Sequence, residues 1–74
     1  MTDFVMRLEA VVHDRPHCQD VFVRLKDRKH GEHFDFIYSY EQVAFTRGMD
    51  SVRAYQQVGQ LARLDLLKQW SPQP

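Results

Sequence analysis

The chain has 74 residues, with ten basic and ten acidic side chains and a formal net charge of zero at pH 7. This length allows one domain with a small hydrophobic core, and the balanced charge argues against a protein whose main work is to grip a nucleic-acid backbone. The single cysteine excludes a disulfide within the chain, and no apolar run approaches the roughly 20 residues that a membrane helix needs.

These limits predict a soluble, cytoplasmic protein with no membrane partner. The N-terminus, MTDFVMRLEA, has an acid at position 3 and alternates polar with apolar residues, unlike a signal peptide. A lone cysteine is consistent with a reducing compartment. We predict one domain over residues 1–70 and a frayed tail at residues 71–74, SPQP, which has two prolines and no apolar side chain.

Residues 3–13, DFVMRLEAVVH, predict the first strand of a sheet. Apolar side chains recur at every second position, as in a half-buried strand, at Phe4, Met6, Leu8, Ala10 and Val12. The opposite face would carry Val5, Arg7, Glu9, Val11 and His13. Residues 14–17, DRPH, then break the pattern, because proline cannot donate to a strand ladder.

Two further segments predict strands that pair with the first. Residues 20–26, DVFVRLK, place three aliphatic side chains on one face, namely Val21, Val23 and Leu25. Residues 33–40, HFDFIYSY, place four rings on one face, namely Phe34, Phe36, Tyr38 and Tyr40. Short polar connections join neighbouring strands in antiparallel fashion, so the three segments predict a β-meander.

Residues 41–49, EQVAFTRGM, have two interpretations. Ser39 followed by Gln42 has the pattern of a capping box, which favours a short helical turn. The apolar side chains of Val43 and Phe45 lie two positions apart, which favours a fourth short strand. The sequence leaves both interpretations open.

The last element is predicted to be a long helix that begins after Asp50 or Ser51, either of which can cap it. About twenty residues give roughly 30 Å of helix, longer than a three-stranded sheet needs. Leu61 and Leu64 indicate a second contact surface, because they lie off the main apolar stripe. That stripe recurs at three- and four-residue steps and consists of Val52, Tyr55, Val58 or Gly59, Ala62, Leu66 and Trp70.

The predicted fold class is α+β, with a three-stranded antiparallel β-meander followed by one long C-terminal α-helix packed on the sheet. A fourth strand would be added if residues 41–47 are extended. We expect the helix to cover the aromatic face, since so short a chain has little else to bury. The first strand, at an edge, could pair with a partner's strand or with its own copy, and Leu61 with Leu64 offers another route to a homodimer.

The four histidines and the single cysteine are the residues most able to form a metal site or a catalytic site. His13, His17 and Cys18 form a weak candidate zinc site, but about seven to nine strand residues at ~3.3 Å each separate them from His30 and His33. A cysteine nucleophile would also need an activated thiolate, an orienting group and a pocket, and no phosphate-binding glycine pattern is present. We therefore predict no enzyme activity, no catalytic residue, no cofactor and no metal.

The exposed sheet face favours a binding function, because aromatic and arginine residues anchor protein interfaces. Arg24 or Lys26 can pair with Asp35 across the strands. We predict a small regulator or inhibitor that occupies a surface on a larger intracellular machine, such as a polymerase, nuclease or defence complex, in the manner of phage inhibitors. The predicted contact residues are Phe22, Arg24, Lys26, Arg28 and Lys29, with Leu61 and Leu64 as a second surface.

The alternative is a single-stranded nucleic-acid-binding module built on the same strand. Phe22 would stack on a base, and the cations of residues 24–29 would bind phosphates. Affinity would then fall steeply with salt. Such platforms normally carry two or three stacking rings, whereas this face carries only Phe22.

Overall fold

The computed structural model describes residues 2–15 and 20–70. Three strands form one sheet in the order β1-β2-β3, and both neighbouring pairs are antiparallel. A long C-terminal helix packs on this sheet, which confirms the predicted α+β fold. The elements are, in chain order, α1 (Thr2–Arg7), β1 (Glu9–Arg15), β2 (Asp20–Asp27), β3 (Glu32–Ser39), a 3-10 turn (Ala44–Thr46) and α2 (Ser51–Trp70).

The N-terminal segment is a helix, so the strand predicted over residues 3–13 is wrong in its first half. Glu9 of β1 pairs with Lys26, and in the same register residues 4–7 would face positions 28–31, where β2 has already ended. Helix α1 and the bend that follows it instead bury Val5 and Leu8, which are three positions apart and are 0% and 2% exposed. The sequence of this segment fits both the two-residue period of a strand and the three- to four-residue period of a helix. It forms a helix because β2 is too short to pair with it.

One face of the sheet holds the core. Val21, Val23 and Leu25 of β2 are buried, and the register sets them opposite the rings of β3 on the same face. Phe34 and Phe36 are half-buried against this core and Tyr38 is fully buried. The α2 residues that complete it are Val58, Ala62 and Leu66. The helix therefore covers the aromatic face, as expected.

Residues 41–47 form no strand, and the capping box is present. The Ser39 backbone N–H donates to Gln42 Oε1 at 2.8 Å, and the Gln42 N–H donates to Ser39 Oγ at 3.2 Å. This reciprocal pair turns the chain away from β3, and Val43 is buried just beyond it. The helical interpretation of the segment is confirmed.

Helix α2 begins as predicted but is buried over a shorter stretch. The Asp50 carboxylate caps it, accepting from the Arg53 N–H at 2.9 Å. A Cβ atom at Gly59 would lie 2.7 Å from Ala10 Cβ, so helix and sheet approach closely there. Val52 and Tyr55, which belong to the predicted apolar stripe, are 67% and 45% exposed, and both line a groove with Glu9 and Ala10 of the edge strand β1.

Two polar contacts bind α2 to the rest of the domain. The Tyr38 hydroxyl donates to Asp65 Oδ2 at 2.6 Å, and Arg63 Nη2 donates to the Leu8 carbonyl at 2.7 Å. Burial and the neighbouring Asp65 carboxylate raise the pKa of Tyr38. Within the described ranges, no helix is both long and apolar enough to cross a membrane.

Candidate functional site

The side of the sheet that faces away from α2 carries three of the predicted contact residues, Phe22, Arg24 and Lys26. We call it the outer sheet face. Alternation along paired strands places every second side chain there, and the register aligns them in rows across the sheet. Its members are Glu9, Val11 and His13 from β1, Phe22, Arg24 and Lys26 from β2, and His33, Asp35 and Ile37 from β3.

The centre of the outer sheet face is apolar. Phe22 lies between His13 and Ile37 in the register. The rings of His13 and Phe22 have centroids 5.8 Å apart, while Ile37 is 67% exposed. Val11, half-buried, lies one row away. An isoleucine this exposed beside an aromatic ring contributes little to the core and presents apolar surface to a partner.

A bidentate ion pair borders this centre. Arg24 Nε donates to Asp35 Oδ1 at 2.8 Å and Arg24 Nη2 to Asp35 Oδ2 at 3.0 Å. These bonds lower the pKa of Asp35, and the positive charge of Arg24 acts in the same direction. The Arg24 guanidinium also lies 5.6 Å from the centroid of the Phe22 ring, within cation–π range. The predicted Arg24–Asp35 pairing is confirmed, and it holds the guanidinium in one position.

The predicted cations divide into two groups. Arg24 is paired with Asp35, and Arg28 donates to Glu9 from both Nε and Nη2. Lys26, on the outer sheet face, and Lys29, in the β2–β3 turn, form no ion pair with a carboxylate of the described residues. The basic stretch of residues 24–29 therefore offers two amines to a partner rather than four free cations.

The predicted second surface lies on the other side of the molecule. Leu61 is half-buried and packs against the core, whereas Leu64 is 53% exposed. Both belong to α2, which covers the sheet face opposite the outer one. The structure therefore separates them from Phe22 and its neighbours, and of the two leucines Leu64 presents the larger exposed apolar surface.

The predicted metal ligands are only partly described. His13 lies on the outer sheet face, while His17 and Cys18 lie outside the described residues. A different group has three potential ligand atoms within 4.8 Å of one another, from Asp27, His30 and Glu32. From the sequence, His30 and His33 were considered at this end of the strand and Asp27 was not included, because only the turn brings Asp27 close to His30 and Glu32.

The Asp27 group is explained by the turn itself. Asp27 Oδ2 accepts from His30 Nδ1 at 2.8 Å, and Asp27 Oδ1 accepts from the Lys29 backbone N–H at 3.1 Å. The hydrogen bond from His30 lowers the pKa of Asp27. Gly31 completes the turn with φ of 74°, a conformation that favours glycine. These bonds close the β2–β3 connection without an ion.

A groove beside β1 was not foreseen from the sequence. It has a volume of about 710 Å³ and runs between the edge of β1 and the first half of α2. We call it the β1 groove. Its lining includes Glu9, Ala10, Val52, Tyr55, Gln56, Gln60 and Arg63.

Comparison with known proteins finds no matching family model, no matching curated protein and no matching solved structure. The functional proposal therefore depends on the geometry and chemistry of this chain's own residues.

Proposed function

We propose that this chain is a small non-enzymatic regulator or inhibitor that acts in the cytoplasm by occupying a surface on a larger protein machine. The outer sheet face is the proposed contact. The observation that carries the proposal is the apolar centre of that face, where Ile37 is 67% exposed beside Phe22. Protein interfaces combine such a centre with a polar rim and are enriched in aromatic residues and arginine.

The charged residues that surround this apolar centre, Arg24, Lys26 and Lys29, support the same proposal. Arg24 is already held by Asp35 and by the Phe22 ring, so little side-chain entropy is lost when a partner covers it. Lys26 and Lys29 are available to carboxylates of the partner. The face therefore fits a partner surface that presents an apolar patch flanked by acidic side chains.

A binding role also agrees with the contacts that the titratable side chains of this face make. Asp35 is occupied by Arg24, and Glu9 is occupied by Arg28. His13 packs its ring against Phe22. Each group stabilises a neighbour on a broad face, which favours recognition over proton transfer.

The nucleic-acid alternative uses the same face and makes an opposite prediction about salt. Two of its four cations are neutralised by carboxylates, and the rings at 34, 36 and 38 face the core. A nucleic-acid complex would lose affinity steeply as salt rises, because phosphate counterions are released on binding. A protein complex held by Phe22 and Ile37 would lose much less.

The experiment is an affinity capture from source-cell lysate, with and without nuclease, comparing the wild type with the double variant Arg24→Glu, Lys26→Glu. We expect one stoichiometric protein with the wild type and strongly reduced recovery with the variant. Leu64→Glu is the control, since Leu64 is exposed on the opposite side. Equal recovery by the double variant would remove the outer sheet face from the proposal, and recovery that collapses with nuclease would favour the nucleic-acid alternative.

A further inference from the structure

The strand β1 has an open edge. It is the outermost strand in the order β1-β2-β3, and among the described residues no strand pairs along its outer side. The backbone N–H and C=O groups on that side are a template for another strand. The middle of β1 offers no obstacle, because Ala10, Val11 and Val12 carry neither charge nor proline.

The β1 groove lies beside this same edge. Val52 and Tyr55 project from the first half of α2 and are 67% and 45% exposed, although they share the apolar periodicity of the buried residues further along. Both line the groove together with Ala10 of β1. An unpaired strand edge and an uncovered apolar part of a helix therefore border one space, and one occupant could cover both.

The charge pattern of β1 indicates which occupant fits. If β1 pairs with a second copy of itself in antiparallel register about Val12, position 9 of each copy stands opposite position 15 of the other. Glu9 then faces an arginine of the partner subunit, and its carboxylate can keep Arg28 of its own chain as a second partner. Opposite charges at directly facing positions stabilise antiparallel pairs, and like charges destabilise them. Val12 meets its own copy at the centre, where apolar side chains suit each other.

The other open edge lacks this self-complementarity. Strand β3 carries Glu32 and Asp35 and contains neither lysine nor arginine. Antiparallel pairing of β3 with its own copy about its middle sets Glu32 opposite Ser39 and Asp35 opposite Phe36, so no opposite charges face each other. The sequence of the two edge strands thus distinguishes β1 as the edge suited to a second copy.

We propose that two copies of this chain pair through the outer edges of β1 and form one continuous six-stranded sheet. A two-fold axis through the Val12 pair and perpendicular to the sheet places both α2 helices on the same side. Val52 and Tyr55 of each copy then meet across the β1 groove. The outer sheet faces of both copies stay free on the opposite side, so this inference is independent of the proposed function.

Sedimentation velocity over a wide range of concentration tests the dimer. We expect the wild type to be a reversible dimer, and we expect Val52→Asp with Tyr55→Asp to shift it to monomer. These side chains are exposed in the isolated chain, so the substitutions spare the core. Leu64→Asp with Ile37→Asp is the matched control, because it adds the same two charges at exposed apolar positions away from β1 and should leave the dimer unchanged.

Charge swapping tests the register. Glu9→Arg alone sets arginine opposite arginine, and Arg15→Glu alone sets glutamate opposite glutamate, so each should raise the dimer dissociation constant by about tenfold. A mixture of the two variants restores both opposite-charge pairs and should form a heterodimer. The control mixture is Glu41→Arg with Lys68→Glu, which has the same net charges at exposed positions outside β1 and should gain nothing over its components.

Three results would overturn the proposal. A wild type that stays monomeric at every concentration would contradict the pairing itself. A dimer that survives the Val52 and Tyr55 substitutions would place the contact elsewhere. A charge-swapped mixture that associates no better than the control mixture would exclude the register about Val12.

Discussion

The two faces of the sheet are formed by the same three strands, but the side chains of one face are buried under α2 and those of the other are exposed. The inner face is apolar and covered, with Val23, Leu25 and Leu66 almost wholly buried. The outer sheet face mixes an exposed isoleucine with paired charges, of which Arg24 and Asp35 keep 39% and 36% of their side-chain surface exposed. Stability should therefore respond to changes on the inner face, and binding to changes on the outer one.

The largest expected effect is loss of core packing at Leu66, which is 1% exposed. Leu66→Ala should lower the free energy of unfolding by about 2–5 kcal/mol, because it removes buried methyl groups and leaves a cavity. Urea denaturation followed by circular dichroism measures it. Leu64→Ala, two residues away and at 53% exposure, is the control and should change stability by no more than about 0.5 kcal/mol. Equal effects at the two positions would contradict the assigned orientation of α2.

The next largest effect tests how closely α2 approaches the inner face at Gly59. Alanine favours a helix over glycine by about 1 kcal/mol, but a Cβ at Gly59 would lie 2.7 Å from Ala10 Cβ. We expect the overlap to dominate, so that Gly59→Ala destabilises the domain by about 1–2 kcal/mol. Thermal unfolding of the single variant and of Gly59→Ala with Ala10→Gly measures this. The double variant should recover stability, and a Gly59→Ala protein more stable than the wild type would refute the close approach.

A smaller effect concerns the polar contact on the inner face. Tyr38→Phe removes the hydroxyl that donates to Asp65 and should cost about 1 kcal/mol at neutral pH. The folded-state pKa of Tyr38 is raised above the ordinary value of 10.0. The tyrosine therefore stabilises the fold fully below pH 10.0 and loses this contribution as pH rises toward the folded pKa. The free energy of unfolding should fall less steeply from neutral to alkaline pH for Tyr38→Phe than for the wild type. Parallel curves for the two proteins would contradict the raised pKa of Tyr38.

The sequence predicts the inner and outer faces of β2 and β3 well, because alternation over seven or more residues leaves few other solutions. It also predicts the Asp50 cap, the Ser39–Gln42 capping box and the Arg24–Asp35 pair, since each depends on short spacing or on direct pairing across strands. These features are local, and local chemistry determines them.

The features that the sequence analysis missed depend on how separate helices, strands and turns are placed relative to one another. Helix α1 was missed because residues 4–8 carry both strand and helix periodicities, and only the end of β2 at Asp27 removes the strand's partner. Val52 and Tyr55 belong to the predicted apolar stripe but are exposed, because a sequence does not show how much of a helix its sheet covers. The Arg28–Glu9 pair was missed for the same reason, since it joins a turn to the start of β1.

The most direct test of the outer sheet face as the binding site is the affinity of the captured partner for Ile37→Lys, measured by isothermal titration calorimetry beside Leu64→Lys. Both positions are more than half exposed, so both variants should keep the wild-type fold. Burial of Ile37 in the interface predicts at least about a tenfold loss of affinity for Ile37→Lys and none for Leu64→Lys. Wild-type affinity for Ile37→Lys, with loss confined to Leu64→Lys, would contradict the proposed site and place the partner on α2.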